Sequence, residues 1–155
     1  MKAVLDNQTK FPTEKVKEGV SWVLKEIEAD YETLLVRVKK AGIFRHHGRF
    51  YPHAREHYPL VWRDRGRTEN LGLPPAVEHL IVVYVPSFPV GRQDRGLRGG
   101  PPSVYPTDWF ESLICIVAHE AKHFRQFLFE WTRSEVQSEW AEYNLLTKFR
   151  EEGVS

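Results

Sequence analysis

The sequence predicts an α+β domain. It should have an N-terminal helix, a small, mostly antiparallel sheet of about three strands, and then an antiparallel pair of helices. Three observations carry that prediction. Apolar residues recur at helical spacing near the N-terminus, short β-branched runs follow, and a Gly/Pro-dense stretch then gives way to two further helical stripes. With 155 residues the chain is one domain's worth, long enough for a single hydrophobic core, so residues 1–155 are read as one domain.

The elements follow in order. Val16, Val20, Val23, Leu24 and Ile27 recur at helical spacing and predict a helix from Thr13 to about Ala29, with Thr13 as its N-cap after Pro12. "TLLVRVKK" alternates, with Leu34, Val36 and Val38 on one face, as a half-buried strand does. "GRFYPH" is a short second strand, and Pro52 confines it to a sheet edge. "HLIVVYVPS" is a near-continuous β-branched run that ends at Pro86, the pattern of a central strand. Between Pro86 and Pro106 the Gly- and Pro-rich segment reads as a long functional loop. Asp108 with Glu111 makes a capping box for the next helix, whose stripe is Phe110, Leu113, Ile114, Val117, Ala121, Phe124 and Leu128. "TRSE" caps a final helix running to about Arg150.

Composition narrows the function classes. Apolar content of 41%, with five Trp, six Tyr and nine Phe, implies a packed globule rather than disorder. The net charge of +1 gives no global reason to expect nucleic acid. A local one exists in the basic 37–67 region and in the Arg/Gly loop 91–100, which make a nucleic-acid-associated module an alternative reading. The loop reads more simply as a mobile lid. Cys115 is the single cysteine and sits in an apolar run, so no disulfide framework is expected. The N-terminal stretch has no apolar signal core, and no run approaches a membrane span; a cytoplasmic protein without membrane contact is expected.

"IVAHEAKHFRQF" carries the chemistry. His119 and His123 are four apart on a helix and so share a face, outside its apolar stripe. Glu120 stands where a zinc hydrolase keeps the carboxylate that takes a proton from activated water. A catalytic Zn2+ site needs a third protein ligand, and the next helix offers Glu135, Glu139 and Glu142 in one stripe. Hairpin geometry leaves the choice open. A turn centred near Thr132 sets Glu142 opposite His123, whereas one centred near Phe129 sets Glu135 there.

His119-Glu-Ala-Lys-His123 followed by Glu135-Val-Gln-Ser-Glu139 resembles the gluzincin metallopeptidases, in particular their minimal single-domain members, the SprT-like, ImmA/IrrE-like and minigluzincin domains. The likeness spans about residues 79–150. It implies a zincin-like fold, His119, His123 and Glu135 as zinc ligands, Glu120 as general base, and Glu139 as a second carboxylate orienting a histidine. It also implies a peptidase, an endopeptidase rather than an exopeptidase, taking a polypeptide substrate as an added strand on the "GRFYPH" edge. The spacing from His123 to Glu135 is short for that family. Tyr105, Tyr143, His79 and the loop arginines are candidates for stabilising the oxyanion. His46, His47, His53 and His57 are irregularly spaced and read as a solvated cluster rather than a second metal site. A latent or non-catalytic zinc-binding scaffold is the remaining alternative.

Overall fold

A computed structural model describes residues 1–41, 47–54, 73–87 and 98–153. The elements are β1 (Val4–Asn7), α1 (Thr13–Ile27), β2 (Leu34–Lys40), β3 (His47–Tyr51), β4 (His79–Val85), α2 (Trp109–Arg125), a π-helical turn (Gln126–Glu130) and α3 (Glu135–Glu152). The architecture is α+β. A single four-stranded sheet runs in the order β1-β2-β4-β3.

The sheet is mixed, which corrects the expectation of a mostly antiparallel one. β1 pairs parallel to β2 and β2 parallel to β4; only β3 runs antiparallel, against β4. The reason lies in the connections. α1 lies between β1 and β2, and a helical crossover of that kind returns the chain in the same direction. β1, absent from the sequence reading, is a half-buried edge strand of four residues, too short for its alternation to show. Asp30 fixes its start by accepting hydrogen bonds from the Lys2 and Ala3 amides at 2.9 and 2.8 Å.

β2 and β4 are the inner strands. Leu34, Val36, Val38, Ile81, Val83 and Val85 face the helices and pack on Val20, Val23 and Leu24 of α1 and on Leu113, Ile114 and Val117 of α2. Leu35, Leu80 and Val82 point to the opposite face, where Tyr51, Ala54 and Val77 cover them. β2 is therefore buried on both faces from Leu34 to Val38, not half-buried as its alternation suggests. Arg37 is the polar exception, and it is paired, its Nε donating to Asp6 Oδ2 at 2.7 Å.

The helix ends follow their capping residues. Asp108 accepts from the Glu111 amide at 2.8 Å and starts α2; Ser134 accepts from the Gln137 amide at 3.2 Å and starts α3. α1 begins at Thr13 with Pro12 in the cap position and no side-chain cap, so Thr13 is the first helical residue rather than the cap. β3 ends just before Pro52 and is the edge strand expected there. Among the described residues, no helix is long and apolar enough to cross a membrane. The loop 91–97 and most of the basic stretch, 42–46 and 55–67, lie outside the described residues.

Candidate metal centre

α2 carries His119 and His123 one turn apart, and both are buried. Three residues beyond His123 the helix widens into the π-helical turn, a feature that often marks functional positions. The chain reverses at Trp131, which adopts a left-handed conformation (φ 51°). Gln126, fully buried, clamps the reversal. Its Nε2 donates to the Ser134 carbonyl and its Oε1 accepts from the Ser134 amide, both at 3.1 Å. α3 then opens at Glu135, with that carboxylate facing the two histidines.

The three side chains converge. His119 Nε2 lies 3.1 Å from Glu135 Oε2 and His123 Nε2 lies 2.9 Å from Glu135 Oε1. The ligand atoms of all three residues fall within 4.8 Å of one another. In a tetrahedral zinc site with bonds of roughly 2.0–2.1 Å, neighbouring ligand atoms stand about 3.3 Å apart. The two contacts, one to each Glu135 oxygen, fall a few tenths of an ångström short of that spacing.

The partners of the other ring nitrogens fix the direction of each imidazole. His119 Nδ1 stands 3.0 Å from Glu142 Oε2, and His123 Nδ1 stands 3.1 Å from Gln126 Oε1. A carboxylate oxygen only accepts, and the clamp onto Ser134 fixes Gln126 Oε1 as an acceptor, so both Nδ1 atoms carry hydrogens. In His123 the Nε2 lone pair then faces the Glu135 carboxylate. That buried atom makes no hydrogen bond among the described residues. A lone pair aimed at a carboxylate within 3 Å is repulsive unless a proton or a metal ion lies between them. The donor set thus fits a zinc ion held by His119, His123 and Glu135.

The electrostatics agree. Burial opposes a charge on His119, but hydrogen bonds to Glu135 and Glu142 prevail and raise its pKa to about 9. The hydrogen bond from His119 holds Glu135 down at about 2, against the effect of burial. Burial, followed by the charge of His119, lowers His123. Balanced by protons alone, the site therefore holds one positive charge between two carboxylates, and it favours a cation at that point. Burial pushes the Glu120 carboxyl up to about 7, with the neighbouring His119 opposing the rise.

The carboxylate on His119 Nδ1 is that of Glu142, where the family resemblance implied Glu139 in the orienting position and hairpin geometry left Glu142 as a possible ligand. Both are buried. The reversal at Trp131 carries Glu142, seven residues beyond Glu135, back alongside His119. Gln126, Ser138 (Oγ 3.3 Å from His123 Nδ1) and Arg133 (3.5 Å from Glu135 Oε1) were missed. Gln126 had a readable signal, an amide one turn beyond the second histidine on the same helix.

The other sequence candidates are dispersed. The Tyr105 side chain is exposed, and its carbonyl accepts from Arg150 at 2.7 Å. Tyr143 packs with Val104, Cys115 and Leu146. His79 lies in a ring cluster with Phe50, His53, Phe124 and Phe127. His47 stacks on Tyr84, and His46 and His57 lie outside the described residues. No protein-family model matches the chain, and no match was found among curated proteins or solved structures.

Proposed function

We propose that this protein is a zinc-dependent peptidase of gluzincin type, with a zincin-like arrangement of edge strand, motif helix and ligand helix. The observation that carries the reading is the convergence of His119, His123 and Glu135, with both histidines turned by hydrogen bonds at Nδ1 so that Nε2 faces the carboxylate. Zinc in that place supplies Lewis acidity, polarising a carbonyl oxygen and bringing the pKa of water to about neutrality.

The chain's own residues do the remaining work. Glu142 and Gln126 hold the imidazoles in the ligating tautomer. Glu120, next to His119 on the helix, accepts a proton from the attacking water and returns it to the leaving amine. Burial of that carboxyl disfavours its charged form and so strengthens it as a proton acceptor. β3 lies beside Glu120 at the sheet edge, so a polypeptide substrate pairs with it as an added strand. Binding along a strand edge suits an endopeptidase, because a chain can extend past the site in both directions.

The test is Glu120→Gln. The variant keeps its zinc and its fold, because Glu120 is not a ligand. Hydrolysis of an unstructured polypeptide such as denatured casein falls by at least roughly a hundredfold, the scale of a lost general base. Undiminished hydrolysis in a zinc-loaded Glu120→Gln protein would refute the assignment.

A further inference from the structure

We propose that Gly48 is a positioning residue for Glu120. Its missing side chain lets edge strand β3 lie on the stem of that glutamate and so limits where the carboxyl beside His119 can stand. The inference rests on the role given to Glu120 above.

A Cβ placed on Gly48 would stand 2.8 Å from Glu120 Cγ, 2.8 Å from Ile116 Cγ2 and 3.2 Å from the Val82 carbonyl oxygen. There is less than a methyl group of room. Backbone conformation does not call for glycine here, since the left-handed glycines among the described residues are Gly99 and Gly153. Space does, as is usual for a glycine where another element crosses a strand closely.

Ile116 and Glu120 are four apart on α2, so a single helix face meets the strand at this point. Two residues along β3, on the same face, Phe50 packs against Phe124 with ring centroids 5.5 Å apart. That contact sets the strand-to-helix distance. Ile116 is buried in the main core and Val82 belongs to an inner strand, so neither yields readily. The Glu120 side chain, with the most rotatable bonds of the three, is the neighbour that gives way first. A methyl group at position 48 therefore displaces the glutamate, and a strand lying on its stem keeps it from turning without one.

The experiment follows the Glu120 carboxyl directly. Full-length protein is labelled with carboxyl-¹³C glutamate, and the Glu120 resonance is identified by its disappearance in Glu120→Gln. The resonance is recorded in chelated protein and after adding one equivalent of zinc, for the parent and for Gly48→Ala. In the parent, zinc should move the resonance. In Gly48→Ala the resonance should already be displaced without metal, and its response to zinc should be lost although zinc is still bound. If Gly48→Ala alone does not fold, Gly48→Ala/Ile116→Ala opens room on the core side while keeping the contact with Glu120, and the same displacement is expected. A Glu120 resonance coincident with the parent's in whichever of these variants folds overturns the proposal. If the parent takes up no zinc, the metal reading fails, and the metal-free comparison still decides the role of Gly48.

Discussion

At the residue scale, the proposed zinc site separates ligands from the groups that would aim them. Glu135 lies within about 3 Å of both Nε2 atoms, so Glu135→Ala should collapse zinc affinity in a competition titration against a chelator. Glu142 touches His119 only at Nδ1. Glu142→Ala should therefore weaken zinc by roughly 10–100-fold, the usual loss when a ligand's hydrogen-bonding carboxylate is removed. Equal zinc affinity for Glu142→Ala and the parent would show that the tautomer argument is wrong. The motif histidines and Glu120 were legible from spacing alone, because a helix puts i and i+4 on one face. The role of Glu142 was not, since its position depends on where the chain reverses, and the nine residues between α2 and α3, 126–134, can be folded more than one way.

Protons report on the same residues. His119 is held at about 9, His123 lies below its usual value and Glu135 sits at about 2. At pH 7.5 the site therefore carries one proton that zinc must displace, on His119. Calorimetry in buffers of different ionisation enthalpy should show about one proton released per zinc, because a metal ligand binds in its deprotonated form. The release should decline as the pH rises through 9. Proton-independent binding at pH 7.5 would contradict the charge arrangement.

At the element scale, the connection between α2 and α3 decides the third ligand. The π-helical turn and the Gln126 clamp shorten the reversal and bring Glu135, the first residue of α3, against His123. Gln126→Ala removes this partner from the Ser134 amide and the Ser134 carbonyl, and leaves His123 Nδ1 to the longer contact with Ser138 Oγ. Each buried polar group left unpaired costs about 1–3 kcal/mol. Thermal or denaturant unfolding should show a loss of at least that size, and zinc affinity should fall with it. A stable Gln126→Ala protein with parental zinc affinity would mean that the turn holds its shape without the clamp. The helices themselves were readable because Asp108 and Ser134 are capping residues acting locally. The sense of the sheet was not. Strand pairing joins residues distant in the chain, and β1 is too short to display a pattern.

At the scale of the whole molecule, the sheet and two helices form the core, and one buried charged cluster is built into its edge. Metal-free stability should reflect that cluster. The His119 pKa is raised from 6.5 to about 9, so its contribution is complete below pH 6.5 and disappears as the pH rises through 9. The Glu120 pKa is raised from 4.5 to about 7, which reduces stability over that earlier window in the same direction. Glu135 is depressed from 4.5 to about 2, so its contribution holds above 4.5 and is lost as the pH falls towards 2. Above pH 7, where the Glu120 change is complete, the loss of the His119 contribution remains, so chelated protein should melt progressively lower from pH 7 up to pH 9. A melting temperature that climbs between pH 7 and 9 in chelator would contradict this balance.

The central claim is that His119, His123 and Glu135 hold one zinc ion. An anomalous difference map, recorded at the zinc absorption edge from crystals of purified protein, tests it most directly. The account predicts one strong peak per chain, roughly 2.0–2.2 Å from His119 Nε2, His123 Nε2 and a Glu135 oxygen. A zinc-replete crystal with no peak there, or with a peak whose third protein ligand is Glu139 or Glu142, would contradict it.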